Sequence, residues 1–354
     1  MSAAPAPAAA GEGLLAPPYE LVTKPYGRAL LALTERRADV IALGADLTRQ
    51  TETDLIRDER PEQFLNVGVA EQNLVGVASG LARAGHCVFV HTFGVFATRR
   101  PFEQIAMQVA YPALDVKIIG FMPGLSSPGG PSHQAVEDVA LMRALPNMTV
   151  VDVADATEVS QVVDLLAELQ GPCYLRLKRG EVPRLFDATH RLSLARAQWL
   201  RRDAAKSSNE EVAIVASGML VATALRAAEV LARGGVGASV VNVPAIKPID
   251  AATVLTAAES ARAVVSAENH SVVGGLGSAI AEVLAEAGLG RPLRRVGVLD
   301  TYAQASSAPF LFRRHGLDVA AVVAAAWTAL GRDGEPPAAD VEGNEVPHDR
   351  YSPV

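Results

Sequence analysis

The stretch FLNVGVAEQNLVGVASGLARAG, residues 64–85, changes its hydrophobic period part-way along. Its first seven residues, FLNVGVA, are typical of a strand that runs into a turn. Beyond residue 73 the apolar side chains recur at the spacing of one helix face, at Leu74, Val77, Ala78, Leu81 and Ala82. Gly85 suits the position just after a helix end. The stretch therefore predicts a strand, a turn and a helix, with Glu71 at the junction.

Glu71 is a carboxylate in an otherwise apolar run, and burying a carboxylate is costly unless something pairs with it. In the simpler interpretation, Glu71 accepts hydrogen bonds from free amides at the helix start and complements the helix dipole. In the functional interpretation, Glu71 pairs with a bound group. The residue alone favours the simpler interpretation.

Outward from this stretch, apolar strand-like runs alternate with helical patterns along the chain. Strands are predicted at residues 39–43, 87–91, 116–120, 149–153 and 173–177, and again at 211–217, 238–243, 263–269 and 294–300, with helices such as 219–233 and 275–287 between them. This alternation indicates mainly parallel sheets covered by helices, the α/β class. A polar stretch at residues 201–211 divides the two series near residue 200.

The predicted organisation has four parts. The N-terminal domain covers residues 18–200, and the C-terminal domain covers residues 208–332. Residues 1–17 and 333–354 are rich in Ala, Pro, Gly and charge, and are predicted to be disordered.

The composition narrows the range of possible functions. The 354 residues are 49% hydrophobic with a net charge of -7, and no basic patch points to nucleic acid. The two cysteines, Cys87 and Cys173, lack metal-ligand spacing, so no metal site is predicted in this chain. There is no secretory signal and no apolar run long enough for a membrane span. A cytoplasmic metabolic enzyme or a protein-binding subunit fits best.

Two further segments carry side chains suited to chemistry. After the strand at 87–91 come Phe93 and Phe96, which either pack in the core or form a platform on which a flat ring stacks. Arg99 and Arg100 follow; they are either solvated or able to reach an anionic substrate. His133 ends a Gly/Pro/Ser loop at 124–133, where it is either a polar group at a helix start or a group for proton transfer.

Together these segments resemble the pyrimidine-binding domain of the transketolase family of thiamine-diphosphate enzymes, and a later one resembles that family's C-terminal domain. The resemblance covers roughly residues 20–330. The matching runs are ALGADLT (42–48), FLNVGVAEQNLVGVASGLA (64–82), FGVFATRRPFEQI (93–105), VKIIGFMPGLS (116–126), GPSHQAVEDVALMRALPNMTVVDVADATE (130–158) and VVSAENHSVVGGLGSAIAEVL (264–284).

The resemblance implies a role for each matching residue. Glu71 would hydrogen-bond the N1′ atom of the cofactor's aminopyrimidine and favour the imino form that deprotonates the thiazolium. Phe96 would stack on the pyrimidine with Phe93 behind it. His133 would contact substrate oxygens and assist their proton transfers. Asp46, at a strand end, is a weaker candidate near the cofactor.

The family's diphosphate-binding domain carries a Gly-Asp-Gly motif followed by an Asn, which hold Mg²⁺ on the diphosphate. No Gly-Asp-Gly occurs in this sequence. The resemblance is therefore to the C-terminal subunit of a split, two-chain transketolase. It implies an N-terminal partner subunit that holds the diphosphate and Mg²⁺, an α2β2 assembly, and a chain that is inactive alone.

Several positions depart from the family's sugar-phosphate site. Thr23, Gln50 and Met122 fall where an Arg, a Ser and a His are usual, and SSPGG (126–130) replaces an acidic run. Arg179 matches a remaining phosphate contact. These changes imply a substrate other than the common pentose and hexose phosphates, or an anion read by Arg99 or Arg100.

Two alternatives stay open. One is the β subunit of a 2-oxoacid dehydrogenase E1 component, which has the same domains and glutamate. The other is a non-catalytic subunit that keeps the fold. In the C-terminal domain, Glu268 and His270 precede a glycine-rich helix start that could bind an anion, although a structural role is favoured.

Overall fold

The structure is a computed structural model that describes residues 9–10, 13–202 and 211–339. The strands of its N-terminal half are β1 (Ala9–Ala10), β2 (Leu21–Thr23), β3 (Val40–Gly44), β4 (Phe64–Asn66), β5 (Cys87–Phe93), β6 (Val116–Phe121), β7 (Thr149–Asp152), β8 (Cys173–Leu177) and β9 (Glu181–Pro183). The helices there are α1 (Pro25–Arg36), α2 (Asp54–Glu59), α3 (Glu71–Arg83), α4 (Gly94–Arg99), α5 (Phe102–Gln104), α6 (Asp138–Ala144) and α7 (Ala156–Glu168), with a 3₁₀ turn at Pro61–Gln63 and a π-helix at Ile105–Ala110.

The C-terminal half continues the alternation of strands and helices. Its strands are β10 (Gln198–Arg202), β11 (Val212–Ala216), β12 (Ala238–Asn242), β13 (Ala245–Lys247), β14 (Ala263–Ser271) and β15 (Leu293–Val298). Its helices are α8 (Leu220–Arg233), α9 (Ala251–Ser260), α10 (Leu276–Glu286), α11 (Ala308–Arg314) and α12 (Val319–Ala329).

A seven-stranded sheet forms the first layer, in the order β13-β7-β8-β6-β5-β3-β4. Its neighbours run parallel, apart from the edge strand β13. Leu30 of α1 and Val163 of α7 are buried on one face, and Leu74 of α3 and Val109 of the π-helix on the other. Because both faces are covered, the strands read as continuous apolar runs rather than alternating ones.

A six-stranded sheet, in the order β1-β10-β12-β11-β14-β15, organises the C-terminal half. Strands β12, β11, β14 and β15 are parallel, while β10 pairs antiparallel with β12. Helices α8 and α12 bury apolar side chains on one face, and α9 and α10 do so on the other. The predicted α/β class with two mainly parallel, helix-covered sheets is therefore confirmed.

The opening stretch folds as its pattern predicts. Phe64–Asn66 is a strand, Glu71–Arg83 is a helix, and Gly85 follows with a φ of 95°, a conformation that suits glycine. The other predicted strands also form, with ends that move by up to two residues; one of them, Cys173–Leu177, keeps its predicted bounds.

The predicted division near residue 200 stays a prediction, because the two sheets share segments across it. β13 comes from the C-terminal half but pairs with β7 of the first sheet, and β10 enters the second sheet before residue 200. β13 has only three residues, too few for an apolar period that a sequence pattern could reveal.

The predicted disorder of residues 1–17 does not extend through the described part of that segment. Leu14 forms a bridge with Phe186, and the Leu15 N–H donates to the Leu185 carbonyl at 2.8 Å. These two leucines are the larger apolar side chains that an otherwise Ala/Pro-rich segment can pack against the protein. Residues 1–8 and 11–12, most of the polar stretch (203–210) and most of the tail (340–354) lie outside the described residues. Within the described ranges, no helix is long and apolar enough to cross a membrane.

Candidate active site

The candidate site lies at the carboxyl ends of β3, β5 and β6, three neighbouring parallel strands of the first sheet. The segments after these strands carry Leu47 and Gln50, Phe93 and Phe96, and the loop that ends at His133. Loops at the carboxyl edge of a parallel sheet are the usual ligand sites in α/β proteins. The sheet topology thus brings together segments that are far apart in sequence.

Glu71 is the first residue of α3, and its side chain is only 6% exposed. As an acidic residue in the first turn of the helix, it complements the helix dipole, as the simpler interpretation holds. Its partner is Arg100, whose Nη1 donates to Glu71 Oε1 at 2.6 Å. The buried carboxylate is therefore matched by a cation that is itself 46% exposed.

Phe93 and Phe96 form an aromatic pair beside Glu71, because β5 ends at Phe93 and α4 begins at the next residue. Their ring centroids are 5.8 Å apart and the rings are inclined by 26°, a stacked arrangement. The Arg100 guanidinium carbon lies 4.0 Å from the Phe96 ring centroid. Arg100 therefore lies against the ring of Phe96 and bonds Glu71 at the same time.

His133 faces the same aromatic pair from the loop that follows β6. Its ring centroid is 5.3 Å from that of Phe96, edge to face, and 6.3 Å from that of Phe93. The hydroxyl of Ser132 lies 2.9 Å from His133 Nδ1. His133 is partly exposed, so its imidazole can reach a bound molecule as well as the rings.

A cleft of about 340 Å³ opens beside Phe93 and His133. The residues that line it are Leu47, Gln50, Phe93, Met122, Ser127, Pro128, Gly129, His133 and Arg179. Gln50, Met122 and Arg179 are positions that the sequence singled out as departures from, or remnants of, a sugar-phosphate site. These three positions therefore lie on one cleft.

Asp46 and Arg99 are oriented differently from the rest. Asp46 is exposed just beyond β3 with a φ of 61°, and its backbone N–H donates to Asn66 Oδ1 at 3.0 Å. It is not among the residues that line the cleft. Arg99 points to the His133 loop, where it pairs with Glu137 rather than facing the cleft.

A buried ionic network beneath the loop joins the two halves of the chain. Arg176 on β8 donates to Asp138 at 2.8 Å and to Asp152 at 2.9 Å, and a further donor reaches the Asn269 carbonyl at 2.8 Å. Burial raises the pKa of Asp152, and the Arg176 charge counteracts this. The sequence analysis did not single out these residues, since a charged side chain in the apolar run CYLRL carries no sign of its distant partners.

The glycine-rich start of α10 already holds an anion of this chain. Glu268 accepts hydrogen bonds from the amides of Leu276 at 2.6 Å and Gly277 at 2.8 Å, and it is buried. Burial raises the pKa of this carboxyl. The structural role favoured for Glu268 therefore accounts for the helix start. In the described ranges, no group of three or more His, Cys, Asp or Glu side chains could hold a metal ion.

Comparison with known proteins identifies the family. The transketolase pyrimidine binding domain matches residues 21–184, and the transketolase C-terminal domain matches residues 204–322. A transketolase family protein of Sinorhizobium fredii is 41% identical over 304 residues, which are 85% of this chain and 86% of that protein. The chain belongs to the transketolase family.

Two relatives are parts of divided enzymes. The 6-deoxy-6-sulfo-D-fructose transketolase subunit SqwH of a Clostridium species is 39% identical over 87% of this chain and 94% of its own length. A solved structure described as a split gene transketolase, an inactive β4 tetramer, is 42% identical, with a TM-score of 0.79 over 87% of this chain and 97% of that one. This chain is thus a transferase of the transketolase type and corresponds to the C-terminal subunit of a two-component enzyme.

Proposed function

We propose that this chain supplies the pyrimidine half of a thiamine-diphosphate site and that a partner subunit supplies the rest. The observation that carries the proposal is a connected set of contacts: Arg100 bonds buried Glu71 and lies against Phe96, which stacks with Phe93. His133 faces both rings, and Phe93 and His133 line one cleft. A scaffold needs none of these groups in combination. When bound, the cofactor supplies the nucleophile and electron sink that a two-carbon ketol transfer requires.

The residues fit an aminopyrimidine ring. Arg100 already places a flat, N–H-bearing cation within hydrogen-bond distance of Glu71 and against the face of Phe96. The space beside these two residues therefore accepts a planar group that both donates a hydrogen bond and stacks. For the cofactor ring to use the same two partners, Arg100 has to move away.

The roles of the chain's own residues follow from their chemistry. Glu71 accepts a hydrogen bond from a ring nitrogen, and a charge-assisted bond of this kind is strong in a buried site. Phe96 orients the ring by stacking. His133, which lines the cleft, exchanges protons with the oxygens of the sugar. Asp46 remains a candidate for the rim of the cofactor site.

The proposed partner subunit is inferred from relatives that are parts of two-component enzymes. We propose an N-terminal subunit that binds the diphosphate and Mg²⁺, in an α2β2 assembly with the cofactor across the subunit interface. The relatives described as a subunit and as a split-gene β4 tetramer support a two-component enzyme. The buried carboxylate in this chain supports a shared site, because it suits a ring nitrogen and not a diphosphate.

The substrate is proposed from the lining of the cleft. Gln50 and Met122 are uncharged, and Arg179 is the cationic side chain that lines the cleft. A donor other than the common pentose and hexose phosphates, with its anionic end toward Arg179 or a displaced Arg100, fits this lining. One relative is named for 6-deoxy-6-sulfo-D-fructose, which supports a donor outside the common sugar phosphates.

The test begins with this chain purified alone, supplied with thiamine diphosphate, Mg²⁺ and a ketose donor. No ketol transfer is expected until the product of a neighbouring open reading frame that carries the Gly-Asp-Gly motif is added. Glu71→Gln should then lower kcat by roughly 10²–10⁴, with Arg36→Met, a change at a distant exposed ion pair, as the control.

Three results would count against the proposal. Full activity of the lone chain would exclude the shared site. Pyruvate decarboxylation by the complex, without ketol transfer, would favour the 2-oxoacid dehydrogenase alternative. A complex equally active with Gln at position 71 would favour the non-catalytic alternative.

A further inference from the structure

Arg99 forms hydrogen bonds to the segment that carries His133, on both sides of the histidine. Its Nε and Nη2 donate to the two carboxylate oxygens of Glu137, the latter at 2.9 Å. Its Nη1 donates to the Pro131 carbonyl at 3.1 Å, and Nη2 also reaches the Gln134 carbonyl at 3.2 Å. One guanidinium thus bonds backbone two residues before His133 and one residue after it.

The residues just before His133 are held partly by hydrogen bonds within the loop itself, from the Gly129 N–H to Ser127 Oγ at 3.3 Å and from the His133 N–H to the Gly130 carbonyl at 2.9 Å. Residues 122–137 form no helix, and Gly129 and Gly130 precede the histidine, the latter with a φ of 73°. On the far side, Gln134 Nε2 donates to the carbonyls of Ser127 and Gln304, both at 3.2 Å. Both ends of the loop are anchored further away, by the Leu125 N–H on Asn269 Oδ1 at 2.9 Å and by the Ser271 N–H on the Val136 carbonyl at 2.7 Å. Arg99 adds the bonds that reach the backbone close to His133 on both of its sides.

Arg99 is fixed itself because it lies at the end of α4, whose first residue directly follows β5. A helix rooted in the central sheet is a rigid support, and a planar guanidinium offers five donors in a fixed fork. A lysine ammonium has three donors on one nitrogen, and Lys117 uses them for a carboxylate and two carbonyls. It cannot make the four bonds of Arg99, to both carboxylate oxygens of Glu137 and to both flanking carbonyls. The arrangement of contacts therefore requires arginine in particular.

We propose that Arg99 is a positioning residue that holds the His133 imidazole over the Phe93–Phe96 pair. This inference rests on the proposed role of His133 in ketol transfer. The sequence offered Arg99 as a group that reaches a substrate anion. In the structure its guanidinium instead bonds Glu137 and two backbone carbonyls of this chain. Arg179 and Arg100 remain the candidates for the anion.

The first experiment measures the loop itself, by hydrogen–deuterium exchange of peptides that cover residues 127–137 in the full-length chain. Arg99→Met and Arg99→Lys should both raise exchange there about tenfold, since both lose the fork. The matched control is Arg37→Met, because Arg37 makes the same kind of fork to Asp39 and the Ala167 carbonyl at the opposite end of β3. This control should leave exchange at 127–137 unchanged.

The second experiment uses the reconstituted two-subunit complex. Arg99→Met and Arg99→Lys should lower kcat by roughly 10–100-fold, the cost of a misplaced catalytic group, and leave the Kd for thiamine diphosphate within about twofold. Glu137→Gln keeps the acceptor but loses its charge, so it should give a smaller loss. If Arg99 had only a structural role, its substitution would lower the fraction of active enzyme. It would not produce the graded losses of kcat expected for Glu137→Gln and for the two Arg99 variants.

Unchanged exchange at 127–137 would overturn the proposal. So would a raised KM for an anionic donor with kcat intact, because Arg99 would then bind the substrate. If the wild-type complex performs no ketol transfer, the proposed function fails, whereas the exchange measurement still decides whether Arg99 holds the loop.

Discussion

Replacing Arg100 by alanine should tighten the binding of thiamine diphosphate to the two-subunit complex. The Arg100 guanidinium bonds Glu71 at 2.6 Å and stacks 4.0 Å from the Phe96 centroid. A cofactor ring that needs the same two partners binds only after these contacts break. The free energy of those contacts is therefore subtracted from the affinity of the cofactor.

The magnitude follows from the exposure of the pair. Arg100 is 46% exposed, so its ion pair with Glu71 is worth at most about 1 kcal/mol after solvent screening. The stacking of a partly exposed cation on Phe96 adds roughly 0.5–1 kcal/mol. Together the two contacts amount to about 0.5–2 kcal/mol. Because each 1.4 kcal/mol corresponds to tenfold in an equilibrium constant, loss of both should lower the Kd by about 2–30-fold.

Isothermal titration calorimetry of the complex, with Mg²⁺ saturating, measures this directly. Arg100→Lys keeps a cation for Glu71 but loses the flat stack, so it should tighten binding less than Arg100→Ala does. Arg36→Ala removes an equally short ion pair at a distant exposed position and should leave the Kd unchanged. A Kd for Arg100→Ala equal to or weaker than that of the wild type would refute the reasoning, since Arg100 would then support the cofactor rather than compete with it.

Three other changes test the framework around the site. Arg176→Met should lower the free energy of unfolding by about 3–5 kcal/mol in urea titrations, because it leaves two buried aspartates without their cation. Burial raises the pKa of Glu52 from 4.5 to about 7. The contribution of Glu52 to the free energy of unfolding is therefore complete below pH 4.5 and is lost as the pH rises through 7. Glu52→Gln should remove roughly 3 kcal/mol of the change in that free energy between pH 5 and 8. Gly124→Ala should lower Tm, because its Cβ would lie 2.2 Å from a carbonyl oxygen of β14 at a φ of 54°, whereas Gly80→Ala, within α3 and with nothing within 4 Å, should raise it slightly.

The local pattern of the sequence predicts most of the fold and part of the site. Buried parallel strands are short apolar runs, and the helix after Glu71 has a clear 3.6-residue period, so both can be identified from neighbouring residues alone. Glu71 was singled out because a lone carboxylate in an apolar run is rare. What its pattern could not supply was the partner, since Arg100 lies 29 residues away.

For the same reason, the sequence pattern could not predict contacts between distant segments. Arg99 and Glu137 are 38 residues apart, and both have the composition of solvated surface residues. Arg176 meets the Asn269 carbonyl across 93 residues. The three residues of β13 pair with β7 nearly a hundred positions earlier. Each of these pairings is decided by the packing of the two halves, which no local period encodes.

The short helix α4 links the parts of the site through its spacing. Phe96, Arg99 and Arg100 stand at positions i, i+3 and i+4, which project from one side of a helix. On that side Phe96 contacts the His133 ring, Arg99 bonds the His133 loop, and Arg100 pairs with Glu71. Displacement of Arg100 from Glu71 need not disturb Arg99, because the two guanidinium groups have no partner in common. Cofactor entry can therefore release one arginine while the other keeps His133 in place, which is why the two substitutions should affect different measurements: Kd for Arg100 and kcat for Arg99.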